Sequence, residues 1–353
     1  MKVKAVVPLV AALLCLGTGA LRAAPMARSE LDERVDRAVA RGLRVLARNQ
    51  EPNGSWIAMI GRKVHMTYRG KIGEHVGVTA LACMSFMAGG SVPGRGPYGE
   101  NVARGLQYVL SCVRENGFIT AHGTRMYGHG FATLFLAEVY GMTRDPRVRE
   151  KLQEAVNLIV SAQNAQGGWR YLPGVPDSDM CVTVCQVQAL RSARNVGIHV
   201  PKSSIDKAIA YVRRSWDRRS GGFLYQIPPD TNGLSRDTFA LTAAGVTALY
   251  GAGYYEGPEI ESALAYLMRN WPSAYWRAPQ TFDFYYGHYY GVQAAFQRGG
   301  DYWRHWRDRI FRELLDLQER DGSWVDLVGR NYATAMATLI LQIPYQYLPI
   351  FER

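Results

Sequence analysis

The sequence predicts an all-α protein built as a closed double ring of about six helix pairs. Three observations carry this. Helical runs alternate in kind, one amphipathic and the next apolar all round. A glycine-aromatic break separates the members of each pair, as in Gly167-Gly168-Trp169. The breaks recur about every 50 residues, and a fixed period of that size with two helices per period marks a repeat architecture.

The first run, Glu30 to Arg48, places Val35, Val39, Leu43 and Leu46 on one face. Pro52-Asn53-Gly54 stops it, and Ser55-Trp56 follows. His75 to Ala88 is apolar almost all round, which marks a buried helix. Asn101 to Val113 is amphipathic, and Gly130 to Val139 is its buried partner across Asn116-Gly117-Phe118. Arg147 to Ala162 precedes the Trp169 break, and Asp179 to Ala193 follows it. Ser204 to Trp216 pairs with Thr238 to Tyr250 across Gly221-Gly222-Phe223. Glu259 to Asn270 breaks at Trp271-Pro272, with Trp276 the aromatic, and pairs with Phe284 to Gln297. Trp303 to Gln318 pairs with Tyr332 to Gln342 across Asp321-Gly322-Ser323-Trp324. The inner helices are too apolar to line an open concave face, so a closed ring is expected rather than an open superhelix. Each break glycine supplies the backbone angles of a helix end. The aromatic is expected to pack between repeats, and Gln50, Gln163 and Gln318 to tie the loops to a neighbouring helix end.

The chain has 353 residues, 48% of them hydrophobic, enough for a sizeable core. Lys2 and Lys4, the apolar stretch Ala5 to Leu16 and the small residues Gly17 to Ala20, Ala23 and Ala24 read as a secretory signal. Residues 1–24 are therefore expected to be removed, with the cut at either small-residue cluster, and residues 25–353 to form one domain. The mature chain is expected to be periplasmic or extracellular, with no transmembrane helix. Cys83, Cys112, Cys181 and Cys185 read as small buried hydrophobes; Cys181 and Cys185, one helical turn apart, are poorly placed for a disulfide. The net charge of +11 comes from basic residues at helical spacings, read as solvated faces or a surface for an anionic partner. No nucleophile-elbow, phosphate-loop or nucleic-acid signature is present.

The phrases Gln50-Glu51-Pro52-Asn53-Gly54-Ser55-Trp56, Gln163 to Trp169 and Gln318 to Trp324 resemble the QW repeats of squalene and oxidosqualene cyclases. That superfamily includes the β-subunits of protein prenyltransferases. The resemblance runs from about Leu31 to Phe351 and is closest to exported bacterial proteins with prenyltransferase and squalene oxidase repeats. It implies an α/α toroid with inner helices around a central cavity; activity does not follow from the fold.

In such a toroid the residues just after each break share one rim. They are Tyr68 and His75; Tyr127 and His129; Asp177 and Asp179; Arg236 and Asp237; Asp283, Tyr285, Tyr286 and His288; and Asn331 and Tyr332. Polar groups converging on an apolar cavity make a binding site. His129, Asp179, Asp283 and His288 are the candidate catalytic groups. His75, Tyr127, Asp177, Asp237, Tyr285, Tyr286 and Tyr332 are the candidate ligand contacts. The alternative for Asp179, Asp237 and Asp283 is helix N-capping, which Asp237 before Thr238-Phe239 fits well.

The cyclase resemblance implies an acidic D-x-D-D-T motif, of which only Asp179 and Thr183 survive. The prenyltransferase resemblance implies a zinc ion held by Asp179, Cys181 and a later histidine, with His288 two residues beyond the matching place. The aromatic run Phe282 to Tyr290, preceded by Tyr254, Tyr255, Tyr275 and Trp276, supplies π faces for a carbocation or a sugar ring. The leading expectation is a protein that binds a small apolar or extended ligand in the central cavity. The alternatives are an enzyme acting on an isoprenoid or a polysaccharide, and a scaffold for protein partners with a plugged ring.

Overall fold

The computed structural model describes residues 29–61, 70–227, 237–272 and 283–348. Twelve helices among them form two concentric layers. The outer layer is α1 (Glu30–Arg48), α3 (Gly99–Ser111), α5 (Pro146–Ser161), α7 (Lys202–Arg214), α9 (Pro258–Arg269) and α11 (Gly300–Leu317). The inner layer is α2 (Val76–Ala88), α4 (Met126–Thr143), α6 (Met180–Asn195), α8 (Phe239–Gly251), α10 (Phe284–Arg298) and α12 (Arg330–Gln342). Each inner helix packs on the next, and α12 packs on α2, so the ring is closed. The last joint is non-covalent: α1, the first outer helix, packs against α12, the last inner one.

The inner helices are buried because no face of them is polar. Every residue of α2 is buried, and eleven of the twelve inner positions from Phe239 to Tyr250 are fully apolar, small or threonine. Outer helices bury one stripe only; in α1 it includes Leu31, Val35, Val39, Leu43 and Leu46.

The break turns repeat one set of hydrogen bonds. The Gln50 side-chain amide donates to Gly54 O at 3.0 Å and to Asn101 O of α3 at 2.9 Å. Gln163 donates to Gly167 O at 2.8 Å and to Ser204 O of α7 at 2.9 Å. Gln318 donates to Gly322 O and to Ala38 O of α1, both at 2.9 Å. Each glutamine thus ties its turn to the next outer helix, as expected. The break tryptophans are fully buried, and each indole N–H donates to a carbonyl of the preceding outer helix: Trp56 to Leu46, Trp169 to Ile159, Trp324 to Leu314. Glycine is required at the turn for two reasons. Gly54 sits at φ +90°, and a Cβ there would lie 2.3 Å from Arg104 O. Gln318→Ala removes two donated bonds at the ring joint and is expected to destabilise by about 1–3 kcal/mol, read from the urea midpoint.

Two elements differ from the sequence expectation. A short antiparallel hairpin, β1 (Ile57–Ile60) and β2 (Lys71–Glu74), stands between Trp56 and α2, with Ile57 opposite Glu74. Strands of four residues carry too little periodicity to be read from sequence. Helix α4 also begins at Met126, ahead of the expected Gly130. Its glycines serve close packing: a Cβ on Gly77 of α2 would lie 2.8 Å from Gly128 Cα. Residues 1–24, Tyr68, Arg236, Tyr275, Trp276 and Phe282 lie outside the described residues. No helix among the described residues is long and apolar enough to cross a membrane.

Candidate functional site

The N-termini of the inner helices open at one end of the ring. Asp179 is the N-cap of α6: the Val182 N–H donates to its Oδ1 at 2.8 Å. Oδ2 is buried and makes no hydrogen bond, with Arg170 Nε 3.7 Å away. Burial pushes this carboxyl up to about 7, against the Val182 N–H and Arg170, which lower it. Arg170 also pairs with Asp177 at 3.3 Å and lies over the rings of Tyr171 and Tyr225, 5.0 and 5.6 Å from their centroids. The two phenol oxygens are 2.5 Å apart.

Beside this group lies a recess. Tyr127 of α4, Cys181 of α6 and Tyr332 of α12 are crowded by protein yet partly exposed, as the floor of a concave site must be. Tyr286 of α10 closes it: its hydroxyl donates to Cys181 O at 2.9 Å, and its ring stands at 89° to Tyr127. Asp283, exposed at the start of α10, acts electrostatically on both Cys181 and Tyr332. Four predicted residues from different inner helices (Tyr127, Asp179, Tyr286 and Tyr332) therefore converge, with Asp177 and Asp283 at the edge. Tyr285 is buried behind them, in contact with Phe284 and near Asp326.

Below the recess, side chains meet across the ring axis. Cys185 Sγ is 3.3 Å from the Tyr290 hydroxyl, and Gln188 donates to Gln293 at 2.8 Å, joining α6 to α10. Phe131 of α4 reaches Tyr289 of α10, with ring centroids 6.1 Å apart. An open central cavity was expected; here large side chains from α4 and α10, on opposite sides of the ring, close the axis.

The histidine and Asp237 expectations need correction. Thr79, Thr183, Thr242 and Thr334 each accept the backbone N–H of a break aromatic, at 3.0 to 3.1 Å. His129 fills that place in α4, its Nδ1 accepting the Ile119 N–H at 3.0 Å. His288, two residues after Tyr286 as Thr183 is after Cys181, packs among Phe239, Trp271, Phe284 and Trp306. Burial holds both imidazoles at about 3, neutral at any working pH. Both serve the joint between layers and are not in the recess. His75 is the N-cap of α2, its Nδ1 accepting the Val78 N–H at 3.3 Å. The cap of α8 is Thr238; Asp237 lies outside the recess, beside Tyr266 of α9. His129→Thr is expected to lose about 1–3 kcal/mol of stability while leaving ligand binding at the recess unchanged, as denaturation and ligand titration of one preparation would show.

The zinc set implied by the prenyltransferase resemblance does not fit. His288 is enclosed by aromatic rings, and a tyrosine hydroxyl stands at Cys181 in place of an imidazole. Among the described residues no three His, Cys, Asp or Glu are grouped to hold a metal ion. Cys83, Cys112, Cys181 and Cys185 are free thiols; three are buried as expected, and Cys181 is partly exposed.

Arg170, Tyr171 and Tyr225 were not anticipated from the sequence. The signal was present at Arg170. The breaks at Trp56, Phe118, Phe223 and Trp324 follow the aromatic with Ile57, Ile119, Leu224 and Val325, whereas Trp169 and Trp276 are followed by Arg170 and Arg277.

Ring, layers and mouth define an α/α toroid. The α-1,6-mannanase GH76A of Salegentibacter sp. HEL1_6, as an inactive variant with α-1,6-mannotriose, is similar with a TM-score of 0.66 at 9% identity, over 89% of this chain and 98% of that one. The type II terpene cyclase MstE from Scytonema, as a variant with geranylgeranyl dihydroxybenzoate, gives 0.60 at 13% identity, over 91% and 99%. The same cyclase without ligand gives 0.59 at 15% identity, over 90% and 100%. At these identities the likeness is one of fold. No family model matches the chain, and no curated protein matches it in sequence.

Proposed function

We propose that the chain is an exported glycan-acting enzyme that binds the end of an oligosaccharide at the toroid mouth and cleaves it with Asp179 as general acid. The contrast along the axis carries this reading. Side chains fill the interior at Cys185, Gln188 and Phe131, while the mouth remains a recess lined by tyrosines. A long isoprenoid needs a deep apolar interior; a sugar ring needs an aromatic face with hydroxyl groups at its edge, which tyrosine supplies. Asp179 keeps its proton near neutral pH, and its buried Oδ2, 3.7 Å from Arg170 Nε, has no hydrogen-bond partner. Its proton passes to the leaving oxygen as the glycosidic bond breaks. Asp283, the second carboxylate beside Cys181, takes the proton of the attacking water. The mannanase with a similar fold, bound to a mannotriose, supports the substrate class; the signal-like residues 1–24 support export.

An isoprenoid substrate is the second reading, supported by the terpene cyclases of similar fold and the single acid at the α6 cap. Calorimetric titration of the mature protein with manno-oligosaccharides and with a geranylgeranyl phenol separates the two, with released reducing ends as the activity readout. Saccharide binding with reducing-end release is expected. Binding of the prenylated ligand alone would replace this reading with the second. Amino-terminal sequencing of the secreted form tests export, which fails if the chain still begins at Met1.

A further inference from the structure

Resting on the saccharide reading, we propose that the substrate is a polyanionic glycan, bearing carboxylate or sulfate groups, whose chain leaves the mouth across a basic rim formed by Arg214, Arg218, Arg219 and Arg269. The run Arg213-Arg214-Ser215-Trp216-Asp217-Arg218-Arg219 carries four arginines and one acid. The turns before Phe118 and Trp324 instead mix the two signs, with Arg114-Glu115 and Glu319-Arg320-Asp321. The run crosses from the end of α7 into the turn before Phe223, and its four arginines are exposed, as is Arg269 at the end of α9.

The local acids are already engaged. Glu259 pairs with Arg213 at 3.0 Å, Asp206 with Lys202 and Glu261 with Arg298. Asp217 Oδ1 accepts the Arg219 backbone N–H at 2.9 Å and lies 3.9 Å from Arg219 Nε. Among the described residues Arg214, Arg218 and Arg269 make no ion pair, yet each is fastened by an uncharged group. Arg214 Nη2 donates to Gln166 O at 2.6 Å, and Arg269 Nη2 to Ser220 O at 3.4 Å. The Arg218 guanidinium lies over the Trp216 ring, 5.5 Å from its centroid. A guanidinium has N–H donors to spare in a planar fork that matches an oxyanion. Ordering these side chains beforehand lowers the entropic cost of gripping one. Residues 228–236 and 273–282, outside the described residues, carry Arg236 and Arg277 against Asp230, so counting them does not reverse the sign.

The rim adjoins the mouth. The loop that carries Arg218 and Arg219 continues through Phe223 to Tyr225, whose carbonyl accepts the Met180 N–H at 2.9 Å, next to Asp179. Arg214 holds the turn that leads to Arg170, which lies over the Tyr225 ring. A glycan longer than the recess has this rim beside it, and a cluster of one sign raises the local concentration of a chain of the other.

The test is calorimetric titration of the mature protein at low and at high salt. The ligands are an oligogalacturonate, a sulfated and a neutral manno-oligosaccharide of the same length, and a single-stranded DNA of matched charge. The anionic glycans are expected to bind at least tenfold tighter than the neutral one at low salt, the tighter of the two naming the anion, and to lose that preference in high salt. Replacing Arg218 and Arg219 together by glutamine is expected to remove about tenfold of the preference, the order of two exposed ion pairs. Replacing Arg44 and Arg48, exposed on α1, removes the same charge elsewhere and is expected to leave the preference intact. Equal affinity for charged and neutral chains would overturn the anionic assignment and leave the saccharide reading standing. An equal loss in both double variants, or DNA binding as tight as the glycan, would overturn it in favour of net charge alone. Binding of none of the saccharides would remove both readings.

Discussion

Replacing Trp324 with alanine is expected to cost about 3–5 kcal/mol and to release the N-terminal helix from the ring. Trp324 is fully buried, and its indole N–H donates to Leu314 O at 2.8 Å. It also fills the contact between α1 and α12: a Cβ on Gly42 would lie 2.8 Å from its Cζ3 and 2.7 Å from Thr338 Cγ2. Truncation leaves a cavity and an orphaned carbonyl at the one joint that the chain does not bridge covalently. Trp169 is equally buried and makes the equivalent bond to Ile159 O at 2.7 Å, so its loss costs a similar amount. The two variants differ in which segment loosens. Hydrogen exchange and limited proteolysis are expected to expose α1 first in Trp324→Ala and to leave it protected in Trp169→Ala. Equal protection of α1 in both would show that closure does not depend on this contact.

The fold was legible because each repeat states its own physics. An inner helix with no polar face must be enclosed, and an outer helix with one apolar stripe must lie over it. The glutamine, glycine and tryptophan of each break are fixed by hydrogen bonds that recur at Gln50, Gln163 and Gln318. The β1–β2 hairpin was not legible, because strands of four residues are too short to show an alternating pattern. The start of α4 was misread because Gly128 and Gly130 look like breakers. They are instead places where helices approach too closely for a Cβ; one on Gly130 would lie 2.9 Å from Gln186 Nε2.

The site was legible only in part, for a geometric reason. Residues near the start of an inner helix split between its two faces, and residue type does not reveal which. Cys181 and Tyr286 face the recess, while Thr183 and His288, two positions later, face the outer layer. A chemical ranking by residue type favoured the histidines, and the helix phase assigns them to structure. The phase was recoverable: Thr79, Thr183, Thr242 and Thr334 mark the outward position in four repeats, and His129 and His288 stand in their register. The closed axis was less accessible, since it depends on how far Phe131 and Tyr289 reach across the ring.

Asp179→Asn is expected to remove the pH dependence that this carboxyl imposes on stability and to lower reducing-end release by about 10²–10⁴-fold. Folded Asp179 holds its proton to about pH 7, whereas the ordinary value is 3.8. Between those values the folded state binds a proton that the unfolded chain does not. The contribution is therefore full below the unfolded value and lost as pH rises through 7, an effect of about 4 kcal/mol at most. His75, His129 and His288, held by burial at about 4, 3 and 3, act in the opposite sense, destabilising the fold as pH falls below the ordinary 6.5. They are common to both proteins and cancel in the difference. Asparagine preserves the N-cap bond to the Val182 N–H and stays neutral at every pH. The stability of wild type minus variant should thus fall steadily from pH 4 to 8, with the variant the more stable at pH 8. Denaturant titrations at four pH values measure it. A flat difference would mean that the Val182 N–H and Arg170 hold Asp179 ionised as an ordinary carboxylate, and the proton that the proposed cleavage requires would be absent.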